Sequence, residues 1–224
     1  MQLLELSPAK IKKNWVRLSS LVSALSYLES YIVTISNLAI RSDPLLRFGQ
    51  SRIIDGTSWL KRGVKDDITN YVVPLVKGKW PTRLSAYRDL FGSIPSQLND
   101  NLSSLENMRV LRNGAAHSFG RDPTAFEDPM APAGVSARLS ESRLQHWLSI
   151  IEACACAIDD HLFPIHIGEF ELIWRYHRWK YEPRDPLDKN YVESAAFSRF
   201  ATRTYGPGPT RSFCKDLIAH YDAA

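Results

Sequence analysis

The segment Trp15–Ala39 reads WVRLSSLVSALSYLESYIVTISNLA. Within it Leu18, Val22, Leu25, Leu28, Ile32, Ile35 and Ala39 follow one another at steps of three and four residues. That spacing keeps all of them on one side of a helix and predicts a single long amphipathic helix. Ser42-Asp43-Pro44 closes it, because proline cannot continue a helix and biases the residue before it away from helical backbone. A helix of this length needs other apolar surfaces against which to bury its own.

The rest of the chain supplies them as further helices. Leu144, Leu148, Ile151, Ala155, Ile158 and Leu162 keep a four-three spacing up to Pro164. A less regular helix is expected from near Arg52 to the Pro74 region. Gly78-Lys79-Trp80-Pro81 then marks a break, and a short helical segment follows from Leu84 to Phe91. After Gly92 and Pro95, Ser96 is placed to N-cap a helix carrying Leu98, Leu102, Leu105, Met108 and Leu111. The stretch Arg121–Gly134 contains Pro123, Pro129 and Pro132 and reads as an irregular loop. It is taken as a connector, with a lid over a site as the alternative. No β pattern of comparable length competes. The expected fold is therefore all-α: an antiparallel, up-and-down helical bundle over residues 1–165.

Residues 166–224 read as a C-terminal helical and loop extension packed on or near the bundle. Phe170–Tyr181 interleaves aromatic residues with Arg175, His177, Arg178 and Lys180. Such a run can stack bases and neutralise phosphates. The preferred reading is a packed helix with Phe170, Trp174 and His177 turned towards the bundle. One short helix near Tyr191–Arg203 and another from about Arg211 complete the chain.

Composition narrows the function classes. The chain has 224 residues, 44% hydrophobic and 23% charged, which is enough for a sizeable core. Its net charge is +4 with a pI near 9.0, a balance that permits nucleic-acid binding without requiring it. Cys154, Cys156 and Cys214 are an odd number in no disulfide-like arrangement, which points to a reducing, cytoplasmic setting. No run of membrane-spanning length and no signal-peptide pattern is read from the sequence.

Metal chemistry finds little support. Cys154 and Cys156 lie two apart on one helix and diverge by roughly 200°, so they cannot share a zinc ion with His161 and His166 without unwinding it. Both cysteines are read as core residues of the helix that carries Leu144 to Leu162, and His146 and His161 as surface or edge residues. Asp66-Asp67 and Asp159-Asp160 also diverge. There is no Gly-rich phosphate loop, zincin motif or nucleophile elbow, and no metal or cofactor is expected.

The remaining candidate is Met108-Arg109-Val110-Leu111-Arg112-Asn113-Gly114-Ala115-Ala116-His117-Ser118-Phe119-Gly120-Arg121. A permanently charged guanidinium can grip two phosphate oxygens, and an imidazole can exchange protons near neutrality. Arg112 follows Leu105 and Leu98 at heptad intervals, so it projects near the buried face, where a cation needs a partner. His117 lies roughly 140° further round an ideal helix. Either the helix distorts at Gly114, or Arg112 and His117 meet their counterparts in a second chain. Asn113, four residues before His117, is placed to fix its tautomer.

Arg112-Asn113-Gly114-Ala115-Ala116-His117 resembles the R-x4-6-H motif of HEPN domains, in the form with a polar Asn directly after the Arg. These are helical bundles of toxin–antitoxin, CRISPR and other antiviral defence systems. The resemblance implies a metal-independent endoribonuclease acting on single-stranded RNA as a homodimer with a composite cleft. His117 would act on the ribose 2′-OH, and Arg112 would hold the scissile phosphate. The ends produced would be a 2′,3′-cyclic phosphate and a 5′-OH. Asn113, Arg109 and Arg121 would support the site or bind RNA, and an antitoxin or regulatory protein is an implied partner. One HEPN subgroup has a nucleotide-accepting Tyr two residues after the His; Phe119 stands there instead. Two other readings use the same residues. One is a module that binds RNA or a nucleotide without cutting it. The other is a structural bundle in which Arg112 is salt-bridged within its own chain and His117 ends a helix.

Overall fold

The computed structural model describes residues 8–43, 46, 60, 61, 68–118, 138–182 and 192–224, and their side chains except at 8–11 and 116–118. The expected helix start near Arg52, the loop 121–134 with Arg121, and Phe119 lie outside the described residues. The described helices are α1 (Pro8–Ser42), α2 (Thr69–Val76), α3 (Trp80–Phe91), α4 (Ser96–Asp100), α5 (Leu102–Ser118) and α6 (Glu141–Leu162). A π-helical turn (Phe163–Ile167) follows, then α7 (Phe170–Tyr181), α8 (Glu193–Tyr205) and α9 (Arg211–Ala223). There is no strand among the described residues, and the fold is all-α.

Helix α1 is the hub. It packs on α2, α5, α6 and the π turn, and its Leu18, Leu21, Leu25, Leu28, Ile32, Ile35, Ala39 and Ile40 are all buried. This face was legible in the apolar spacing. By length and composition Lys12–Ser42 is apolar enough to cross a membrane, with a hydropathy of 1.3. That corrects the sequence reading, which found no such run. In this fold the apolar residues on its inner side form the centre of the core.

Helix α6 begins at Ser140, whose side chain accepts from the Arg143 N–H, the arrangement an N-cap serine favours. Its start is pinned to α1: Leu139 N–H donates to Asn14 Oδ1 at 2.9 Å, and Arg17 Nη1 donates to the Leu139 carbonyl at 3.1 Å. Further along, Tyr31 donates to Asp159 at 2.8 Å, and Ser42 donates to the Ile167 carbonyl at 3.3 Å. Contacts that rise together along both helices mean that α6 runs parallel to α1. The breaks at Gly78, Gly92–Pro95 and Asn101 divide the intervening chain into short helices.

Other elements also shift. Helix α2 runs two residues past Pro74. Helix α3 starts at Trp80 rather than Leu84, with Pro81 in the first turn, where its missing N–H costs nothing. Ser96 is not the N-cap: Pro95 takes that place, and the helix is interrupted at Asn101 before α5 begins. On α6 the buried stripe is Leu144, Trp147, Ile150, Cys154, Ile158 and Leu162, one residue round from Leu148, Ile151 and Ala155. Cys154 is buried as read, but Cys156 is exposed. Pro164 does not stop the chain; the π turn carries it on to His166, which is buried against Asp43 at 3.1 Å.

A second core forms from α7, α8 and α9. Ile173, Tyr176, Trp179, Phe197, Ala201, Cys214, Leu217 and Tyr221 make it up, while the first core reaches Ile167. Helix α7 does bury one side, but its Ile173, Tyr176 and Trp179 pack into this second core, not onto the bundle as expected. Its buried members are Phe170, Ile173, Tyr176 and Trp179, with Trp174 and His177 half-buried. Arg175 and Arg178 pair with Glu171 and Glu182 and lie over the rings of Tyr205 and Trp174.

Candidate functional site at the seam of α1, α3 and α5

The motif lies on one unbroken helix. α5 passes through Gly114 in helical backbone and ends at Ser118, so the distortion considered at Gly114 is not seen. Met108 and Ala115 are buried, and Arg112 falls between them at helical spacing. The backbone at position 117 is in the last turn of α5, roughly 140° from position 112 on an ideal helix. The His117 side chain lies outside the described residues.

Arg112 has a partner in its own chain. Its Nη1 donates to Glu29 Oε2 at 2.7 Å, a length characteristic of charge-assisted bonds. The other oxygen of Glu29 accepts from Arg83 Nη1 at 2.9 Å. One carboxylate from α1 therefore joins arginines of α3 and α5. The two cations differ in exposure: the side chain of Arg83 is 3% exposed and that of Arg112 is 19%. Arg83 also donates through Nε to the Gly78 carbonyl at 3.1 Å and lies over the Trp80 ring at 5.0 Å. Burial pulls the Arg83 pKa down from its ordinary value, and the hydrogen bond and charge of Glu29 oppose that pull.

Asn113 meets Arg112. Its Oδ1 accepts from Arg112 Nε at 3.4 Å and Nη2 at 3.3 Å. Arg109, one turn earlier, is bound by Glu106 through both carboxylate oxygens, the shortest contact being 2.6 Å. Glu106 Oε2 also accepts the Trp80 N–H at 3.0 Å. It thereby caps the start of α3, where helical N–H groups lack internal partners. Arg83, Arg109 and Arg112 thus stand against Glu29 and Glu106, three cations to two anions in the ion pairs described at the seam. Sequence reading missed Glu29, Arg83 and Glu106, and Arg121 lies outside the described residues.

No protein-family model, curated protein or solved structure matches the chain. The seam is therefore weighed on its own chemistry. A guanidinium carries five N–H groups, and Glu29 takes one of them in a short bond. The donors not committed to Glu29 suit a phosphate oxygen. Elsewhere, His161 lies between the Tyr87 hydroxyl at 2.9 Å and the Ser93 hydroxyl at 3.0 Å. Burial pulls its pKa down, so this ring is a neutral strut between α3 and α6. Among the described residues, no group of three His, Cys, Asp or Glu side chains could hold a metal ion.

The Glu106–Arg109 pair makes a pH prediction. The hydrogen bond from Arg109 pushes the Glu106 carboxyl down to about 2 from its ordinary 4.5. A folded-state value below the unfolded one means that the unfolded chain binds more protons, so stability rises with pH through this window. The contribution is complete above about pH 4.5 and is lost as pH falls towards about 2. Glu106→Gln should remove it: wild-type and variant thermal midpoints converge at acid pH and separate, with wild type higher, above pH ~4.5. A constant difference across that window would contradict the assignment.

Proposed function

We propose that this chain is a HEPN-like, metal-independent endoribonuclease of single-stranded RNA, acting as a homodimer in a toxin or antiviral defence setting in the cytoplasm. The observation that carries the reading is Arg112 itself. It is a half-buried guanidinium bonded to Glu29 through Nη1, with donors not committed to that carboxylate, on the same helix as His117. Arg83 and Arg109 lie along the same seam and raise its positive potential.

In the proposed reaction an imidazole of His117 takes the proton from a ribose 2′-OH, and O2′ attacks the adjacent phosphorus. The P–O5′ bond breaks, and the 5′-oxygen leaves with a proton from the His117 of the second protomer. The ends are a 2′,3′-cyclic phosphate and a 5′-OH. Arg112 neutralises the charge that builds on the non-bridging oxygens, and Glu29 keeps it from drifting. An antitoxin or regulatory protein would restrain the activity.

A second reading has direct support in the Arg112–Glu29 bond. Here Arg112 is only a strut between α5 and α1, and the bundle serves a structural or regulatory role. Expression in a bacterial host separates the two. The ribonuclease reading expects growth arrest, relief of that arrest by His117→Ala, and cyclic-phosphate ends in RNA from arrested cells. Equal arrest by wild type and His117→Ala would contradict it.

A further inference from the structure

Arg112 uses its edges unequally. Nη1 is committed to Glu29 at 2.7 Å, whereas the side-on edge, Nε with Nη2, faces one atom of Asn113 at 3.4 and 3.3 Å. Bonds between a guanidinium and a charged acceptor are normally about 2.7–2.9 Å. The Glu29 contact is at full strength, and the Asn113 pair is stretched. Because a guanidinium only donates, the atom facing this edge must be the amide oxygen. This is the same fork that grips a phosphate through two parallel N–H bonds.

We propose that Asn113 is a displaceable occupant of the phosphate fork of Arg112. Its neutral amide oxygen holds the fork until an RNA phosphate enters, then rotates out, while Glu29 keeps the guanidinium in place throughout. The exchange is favourable because ionised acceptors bind a guanidinium roughly twice as strongly as neutral ones. A carboxylate at the same position would not yield, since it would match the phosphate in charge while being tethered next to the fork. The inference rests on the reading of Arg112 as a phosphate clamp. It also gives Asn113 a role at Arg112, different from orienting His117.

The test uses a short single-stranded RNA with 2′-O-methyl riboses, which lacks the nucleophile and cannot be cut. Binding is followed by fluorescence anisotropy for wild type, Arg112→Ala, Asn113→Ala, Asn113→Asp and Asn107→Asp, each checked for folding by its thermal midpoint. Asn107 is exposed on the same helix and controls for an added negative charge alone. Asn113→Ala should bind at least as tightly as wild type. Asn113→Asp should bind about tenfold more weakly and Asn107→Asp only about twofold, because a remote, exposed charge is screened. Weak binding by Asn113→Ala, or equal binding by the two aspartate variants, would overturn the fork assignment while Arg112→Ala still loses affinity. Undiminished binding by Arg112→Ala would overturn the clamp itself, and the fork with it.

Discussion

Glu29→Ala is expected to destabilise the fold by about 3–5 kcal/mol. Glu29 is the shared acceptor of Arg83 and Arg112, and Arg83 is almost wholly buried. Removing the carboxylate leaves a guanidinium inside the protein without its counter-charge, and that penalty exceeds the worth of the intact pair. Set against a total stability of about 5–15 kcal/mol for a typical domain, the loss is large. Urea denaturation measures it through the midpoint at constant slope. Combining Glu29→Leu with Arg83→Met should recover part of the loss, because the fully buried charge is removed with its partner and only the more exposed Arg112 is left without Glu29. A single-variant loss below about 1 kcal/mol would class the contact as an ordinary surface pair and remove the anchor from Arg112.

His117→Ala is expected to lower the rate of RNA cleavage by about 10²–10⁴-fold, the usual contribution of a positioned acid or base. Arg112→Lys should cost about 10²–10³-fold, as loss of a preorganised donor to a developing oxyanion does. The lysine is chosen because its ammonium can still pair with Glu29, whereas it lacks the planar fork. Its thermal midpoint should therefore remain close to that of wild type while its rate falls. Under the strut reading the lysine likewise keeps the pair with Glu29 and the midpoint, but there is no RNA cleavage to lose.

The long elements were legible because their signal is local and repeated. The apolar face of α1 could be read step by step from Leu18 to Ala39, and every one of those positions except Val22 is buried. Its start at Pro8 was missed because Lys10, Lys12, Lys13 and Asn14 carry no apolar period. Helix α6 was found but turned by one residue. Two apolar stripes interleave there, and the choice of Trp147, Ile150 and Cys154 over Leu148, Ile151 and Ala155 depends on neighbours far along the chain. The parallel course of α6 beside α1 likewise depends on contacts more than 120 residues apart.

At the site, heptad spacing from Leu98 and Leu105 placed Arg112 near the core, and the cost of a buried charge called for a partner. The partner, Glu29, is 83 residues away on a helix read only for its apolar side. Arg83 was harder still: it stood just before the helix expected from Leu84, where a cation reads as solvent-exposed. Its burial follows from the way Trp80, Gly78 and Glu29 enclose it.

In the proposed reaction Arg112 and His117 cut RNA without a metal. The most direct test is incubation of a labelled mixed-sequence RNA with purified wild type, Arg112→Ala and His117→Ala in EDTA, with folding matched by circular dichroism. Wild type alone should cut, leaving a 2′,3′-cyclic phosphate. Equal cutting by all three proteins would contradict that mechanism.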